Sequence, residues 1–260
     1  MSEQTVEIRQ ALTQFLRTDA LFGVRAVPIP QRARPTGSGH AASAPSPAAV
    51  PTVDPAVRAE KAAALKALDE RSVKNCTKCG LATTRKNTVF GQGDPAARLV
   101  FVGEAPGADE DRQGVAFVGL AGQLLTRMIA AMGLTREQVF ICNVLKCRPP
   151  GNRAPAPDEV AACSPYLTEQ IQTISPEVIV ALGAPAAQTL LQTGETIGRL
   201  RGRFHDYYPS GTALLGEPIP LMPTYHPAYL LRSPGEKAKA WHDLQMVMAK
   251  LGLPPPGNSR

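Results

Sequence analysis

An α/β fold, a three-layer αβα sandwich around a central, mostly parallel four-stranded sheet, is predicted by three features of this sequence. Short continuous apolar runs such as Leu99-Val100-Phe101-Val102 have the composition of strands buried on both faces. Longer stretches with helical periodicity separate one run from the next. Glycine or a polar loop closes several of the runs, as expected where strand ends carry a binding site.

The elements follow in order. Residues 1–23 carry Ile8, Leu12, Phe15 and Leu16 at helical spacing, which predicts a short amphipathic helix, either a packing element or a peptide that docks a partner. Residues 24–55 hold Pro28, Pro30, Pro35, Pro45, Pro47, Pro51 and Pro55 among Ala, Gly and Ser. Burial there cannot offset the entropy of ordering, so a flexible linker is predicted. The compact domain is expected over 56–252, followed by a tail at 253–260. Its strands are read at Arg98–Gly103, Val139–Leu145, Glu177–Leu182 and Ile219–Thr224. Helices are read at Ala56–Val73, over residues 120–132, from Ala156, at Ala184–Gln192 and at Glu236–Leu251.

Composition narrows the function classes. No apolar run approaches the roughly 18 residues that cross a bilayer. The opening Met1-Ser2-Glu3-Gln4 lacks the basic-then-apolar layout of a secretory signal, so a cytoplasmic monomer without membrane contact is expected. A net charge of +6 favours phosphate-bearing partners. In a reducing compartment, cysteines read as ligands rather than disulfides. Cys76 and Cys79 lie two residues apart among Thr, Lys, Asn and Gly, and Cys147 and Cys163 complete a set of four. Such a set takes zinc or an iron–sulfur cluster, and spacing does not choose between them. Cys142 sits inside an apolar strand and reads as a small hydrophobe.

Three segments carry the chemistry. Gly103-Glu104-Ala105-Pro106-Gly107 follows a strand directly, and its glycines let backbone approach a ligand. It lacks the G-x-G-x-x-G spacing of a dinucleotide site, and its acidic continuation through Glu110 and Asp111 argues against a phosphate cradle, with a solvated acidic turn as the alternative to a ligand-binding segment. Phe117 is either core or an aromatic platform. Asn143 interrupts the apolar run Phe140-Ile141-Cys142-Asn143-Val144, and a buried amide must find hydrogen-bond partners, which near a strand end can belong to a nucleobase edge. His226 precedes Pro227 just past the last strand, where an active-site loop belongs.

With these residues in place, the chain resembles the family 4, iron–sulfur uracil-DNA glycosylases of the uracil-DNA glycosylase superfamily. The resemblance covers roughly residues 70–252. It rests on Gly103–Gly107 with Glu110-Asp111, on Phe117-Val118-Gly119 with Gly122-Gln123-Leu124-Leu125, on Asn143-Val144-Leu145-Lys146-Cys147-Arg148-Pro149-Pro150 with Asn152-Arg153, and on His226-Pro227-Ala228-Tyr229-Leu230-Leu231-Arg232.

The resemblance implies removal of uracil from single- or double-stranded DNA, a step of base excision repair, and a [4Fe–4S] cluster on Cys76, Cys79, Cys147 and Cys163. It implies that Phe117 stacks on the base, that Asn143 reads its edge, and that Gly103, Ala105 and Glu110 complete the uracil site. Glu104, Asn152 and His226 are the implied catalytic residues. Tyr229, Leu230, Leu231 and Arg232 are the implied DNA contacts, with Leu230 or Leu231 as a wedge. Lys146, Arg148, Arg153, Arg199, Arg201 and Arg203 are read as a basic track. Two relatives on the same fold compete, a non-catalytic damage binder and an enzyme that crosslinks to DNA through a histidine in an inserted loop. The run Arg112–Phe117 has neither that loop nor that histidine, and Glu104, Asn143 and His226 favour catalysis.

Overall fold

The computed structural model describes residues 53–209, 211 and 216–254. The predicted N-terminal helix, nearly all of the predicted linker and most of the tail lie outside the described residues. Helix α1, Pro55–Leu68, opens on Asp54, whose carboxylate accepts the Ala56 N–H at 2.9 Å, and runs on into a π-helical turn at Asp69–Val73. Strands β1 (Gln92–Gly93) and β2 (Leu99–Gly103) come next, then helices α2 (Ala108–Gln113) and α3 (Leu120–Ala131). Strand β3 is Phe140–Asn143, helix α4 Pro157–Ile174, strand β4 Val178–Leu182 and helix α5 Ala184–Leu191. A short helix α6 (Ile197–Leu200), strands β5 (His205–Tyr207) and β6 (Ile219–Thr224), and helices α7 (Pro227–Arg232) and α8 (Lys237–Lys250) complete the domain.

The strands form one mixed sheet of six, in the order β1-β3-β2-β4-β6-β5. The four strands β3, β2, β4 and β6 pair in parallel, and β1 and β5 pair antiparallel at the two edges. The sheet is therefore larger than the four strands expected. Its two extra strands are too short and too polar to carry a periodic signal.

Strand β2 is buried along its whole length, and its side chains alternate between two cores. Val100 and Val102 join Leu68, Leu167, Ile171 and Ala187, from helices α1, α4 and α5. Leu99 and Phe101 join Leu125, Met128, Leu244 and Val247, from helices α3 and α8. Helices thus cover both faces. Cys142 is 1 % exposed within the first core, the place its apolar neighbours suggested. Among the described residues, no helix is long and apolar enough to cross a membrane.

The chain leaves β2 for β3 on one side, then crosses back to β4 on the other, so the strand order reverses at β2. In open parallel sheets a crevice forms at that reversal, outside the carboxyl ends of the strands. Gly103, Asn143 and Thr224 end β2, β3 and β6 there.

Candidate active site

A cavity of about 230 Å³ opens at these strand ends. Its walls include Glu104, Glu110, Phe117, Asn143, Asn152 and His226. Residues scattered over more than a hundred positions of sequence are brought together because the segments that follow β2, β3 and β6 leave the same end of the sheet. Ala105 lines the same wall. Gly103 lies beneath it: a methyl group there would come 2.3 Å from the Asn143 Oδ1 and 2.5 Å from the Phe117 ring. Only glycine lets both side chains close over the strand end.

Asn143 pairs in register with Gly103 and is 1 % exposed. Its Oδ1 is buried with no hydrogen-bond partner in the protein. An orphaned buried acceptor costs about 1–3 kcal/mol, so its persistence beside a cavity points to a donor on a ligand.

His226 is the N-cap of α7. Its Nδ1 accepts the Ala228 N–H at 3.1 Å, so the neutral ring carries its proton on Nε2. Burial above all, and then the charge of Arg232, push its pKa down to about 4, while Glu110 opposes them. The imidazole is therefore an uncharged donor at neutral pH. Its ring centre lies 5.7 Å from that of Phe117, tilted by 34°.

Phe117 adopts φ +53°, a left-handed conformation rarely held by an aromatic residue. Glu110 braces the turn that contains it. One carboxylate oxygen accepts the Val118 and Gly119 N–H groups at 2.8 and 2.9 Å, and the other accepts Gly107 N–H at 3.1 Å. Arg136 donates to the carbonyls on the other side of the same turn. The acidic stretch that follows Gly107 is thus not a solvated turn: it is helix α2, with Asp111 buried and accepting the Lys86 N–H at 2.8 Å.

Asn152 also has positive φ, +55°, which asparagine tolerates better than phenylalanine. Its Oδ1 accepts from Arg148 Nε at 2.8 Å, which turns its amide NH₂ away from that guanidinium. Burial pushes the Glu104 carboxyl above the usual carboxylate range.

Several sequence expectations need correction. Leu230 is fully buried in the second core, so it cannot reach DNA, whereas Leu231 on the next position is 40 % exposed. The segment Tyr229–Arg232 is not a loop but part of α7, and a helix turns adjacent residues to different faces. Tyr229 and Arg232 are exposed. Of the basic track, Lys146 is buried, with its Nζ donating to Asn143 O at 2.8 Å and to Gln170 Oε1 at 2.5 Å. Arg153 forms a two-pronged pair with Glu159 at 2.5 and 2.9 Å. Arg201 pairs with the buried Asp243 at 2.7 Å, which also accepts from Thr224 Oγ1 at 2.6 Å and so anchors the end of β6 ahead of His226. Of the rest of the track, Arg199 and Arg203 are exposed and Arg148 is half-buried.

Cys76, Cys79, Cys147 and Cys163 line a second, much smaller cavity of about 10 Å³, between the loop after the π-helical turn, the exit of β3 and helix α4. Donors converge on the sulfurs: Lys146 N–H on Cys163 at 3.2 Å, Tyr166 Oη on Cys76 at 3.3 Å, and Arg85 on Cys147 at 3.4 Å. Burial pushes the Cys147 thiol up to about 11, against the pull of Arg85. Among the described residues, no group of three or more His, Cys, Asp or Glu is placed to hold one metal ion.

A doubly covered parallel sheet with a cavity at its strand reversal defines an α/β protein of the ligand-binding, open-sheet class. Comparison with known proteins is more specific. The family model of the uracil DNA glycosylase superfamily matches residues 90–245. A type-4 uracil-DNA glycosylase of Saccharolobus solfataricus is 45 % identical over 188 residues, covering 70 % of this chain and 85 % of its own. Similar enzymes of Archaeoglobus fulgidus (43 %, covering 70 % of this chain and 92 % of theirs) and Thermotoga maritima (48 %, 62 % and 80 %) align likewise. The chain belongs to the uracil DNA glycosylase superfamily, in its type-4 branch.

Proposed function

We propose that this protein is a uracil-DNA glycosylase, a hydrolase that draws uracil out of DNA, breaks its N-glycosidic bond and leaves an abasic site for base excision repair. The observation that carries this reading is the buried, unpartnered Oδ1 of Asn143 beside an aromatic ring and a neutral imidazole. Uracil satisfies all three. Its N3–H is the donor Oδ1 lacks, and the Asn143 NH₂ donates to its O4. Cytosine presents an acceptor and an amine at those places, so the same amide refuses it. Phe117 stacks on the flat ring. Extrusion of the base costs a few kcal/mol, which these contacts must offset.

As the bond to deoxyribose breaks, charge gathers on uracil and the sugar becomes oxocarbenium-like. The His226 Nε2–H donates to O2, where that charge develops, a contact that strengthens in the transition state. Glu104 accepts a proton from the attacking water, its raised pKa bringing it nearer to neutral pH. Asn152, its Oδ1 already used by Arg148, orients that water through its amide N–H. Glu110, implied by the resemblance as part of the uracil site, is better supported as the brace of the Phe117 turn, since both its oxygens are engaged.

The rim fits DNA. Of the four large hydrophobic residues exposed among the described residues, Leu120, Tyr229 and Leu231 belong to α3 and α7, whose second residues Ala121 and Ala228 line the cavity. Leu231 enters the gap left by the base, a use of leucine seen in proteins that distort the duplex, and Arg232 meets a phosphate. For residues 1–23 the proposal is that they dock a repair or replication partner, with a packing element as the alternative reading.

A single-uracil oligonucleotide, incubated with the protein and then treated with alkali, tests the reading: strand cleavage dependent on uracil supports it, and intact DNA that stays bound supports the damage-binding alternative. Gly103→Ala is expected to lower cleavage at least about a hundredfold, because a misplacement of about 1 Å at a reacting centre is enough for that loss. Near-wild-type cleavage by that variant would contradict the seating of Phe117 and Asn143.

Four thiols, with N–H and O–H donors converging on three of their sulfurs, suit a [4Fe–4S] cluster; zinc takes the same donor set, and the cluster is preferred on the kinship with type-4 enzymes. Cys76, Cys79, Cys147 and Cys163 would hold the cluster, and its contribution when bound is a crosslink that ties the loop after the π-helical turn to the exit of β3 and to α4. Cys147→Ser is expected to yield paler protein, with iron well below about four atoms per chain and a lower melting temperature. Unchanged iron content would overturn the ligand assignment.

A further inference from the structure

Phe117 is the residue on which the base stacks in the reading above, and its backbone is strained. A left-handed aromatic residue is strained and persists only where its surroundings over-determine it. Four hydrogen bonds to the backbone of its turn do so here. On the far side of the residue, Glu110 takes the Val118 and Gly119 N–H groups. On the near side, Arg136 Nη2 donates to Ala116 O at 2.8 Å, and Arg136 Nη1 donates to Phe117 O at 3.1 Å and to Thr126 Oγ1 at 3.1 Å. An anion therefore grips the amides that follow Phe117, and a cation grips the carbonyls at and before it.

Space is limited as well as polarity. A methyl group on Gly122 would fall 1.9 Å from Phe117 O, so the carbonyl is pressed against α3 and has no room to swing inward. Arg136 starts the 3₁₀ turn Arg136–Gln138, close before β3, which ends in Asn143. One side chain thus ties the strand that carries the amide to the turn that carries the ring.

We propose that Arg136 is a positioning residue for base release: its planar fork fixes the plane of the Phe117 ring against the Asn143 edge and the His226 donor, without touching the base itself. The inference rests on the uracil-DNA glycosylase reading. A fork can hold two adjacent carbonyls at once, and an ammonium cannot reproduce that. A role confined to folding would lower the melting temperature and leave the chemistry of the folded fraction alone.

The test is a double-mutant cycle on the full chain, with Arg136→Ala, Phe117→Ala and the pair, read as kcat and KM on a single-uracil oligonucleotide. Arg136→Ala is expected to lower kcat about tenfold or more, to weaken inhibition by free uracil, and to leave affinity for abasic DNA within about twofold. In the Phe117→Ala background the same change is expected to cost less than about twofold, since the ring it positions is gone. Arg136→Lys, which keeps the charge and loses the fork, should recover kcat only in part, and it carries the same cycle where the alanine variant does not fold. Equal losses in both backgrounds, or an unchanged kcat with only a lower melting temperature, would overturn the proposal while leaving the glycosylase reading intact. A wild-type protein that releases no uracil would sink both.

Discussion

Asn143→Ala is expected to lower uracil release by about 10²- to 10³-fold, with the larger part of the loss in kcat rather than in binding of DNA. The reason is the unpartnered Oδ1 at the end of β3. Sites built to hydrogen-bond a substrate lose far more when one partner is removed than apolar sites lose with a methylene, because buried polar groups are left unpaired. Truncation removes both the acceptor for N3–H and the donor for O4, while the Phe117 ring and the Gly103 floor remain to accept a flat base. Discrimination should therefore fall together with rate, and the ratio of uracil to cytosine release should narrow. The protein itself should stay folded, since Asn143 Oδ1 contributes no internal hydrogen bond that the variant would lose. Kinetics on matched oligonucleotides, with a thermal melt alongside, check each part.

His226→Ala is expected to cost about 10²–10³ in kcat, the usual loss when one donor to a developing anion is removed. Its pH signature separates it from a charged donor. The pKa of His226 is pushed down to about 4 by burial first and by Arg232 second, so the ring is neutral both above and below the ordinary value near 6.5. The wild-type rate should thus show no inflection near pH 6.5. Below that pH the unfolded chain takes up a proton that the folded ring refuses. Stability linked to His226 is therefore greatest above about 6.5 and falls as the pH drops towards 4. His226→Ala should flatten that slope. An acid limb in kcat above the usual carboxylate range is assigned to Glu104, whose burial raises its pKa, and should survive in the His226 variant.

Much of this site was legible because its chemistry resides in residue types that stand out from their surroundings. Asn143 breaks an apolar run, His226 follows one, and Gly103 ends one. Strands β2, β3, β4 and β6 were readable for a related reason, since strands buried on both faces must be continuously apolar. The edge strands left no such trace. Gln92-Gly93 and His205-Asp206-Tyr207 are held by pairing with a neighbour, and pairing has no sequence period.

Helix α7 was read as a loop because His226-Pro227 suggests a turn. The signal for a helix was nevertheless present, as proline favours a first helical turn and histidine here caps it. Helical spacing would then have placed Leu230, four residues after His226, towards the core. The roles of Glu110 and Arg136 could not be read at all. Both act on backbone groups 8 to 20 residues away in sequence, and a backbone carbonyl carries no residue identity to recognise.

The most direct test of the account is chromatographic detection of the free base released from oligonucleotides that differ only in one position, carrying uracil, thymine or cytosine. The account expects free uracil in multiple turnover, an equal yield of abasic sites, and no release of thymine or cytosine. Tight retention of the uracil strand with no free base would contradict it, and would make this pocket a reader of uracil rather than an enzyme that removes it.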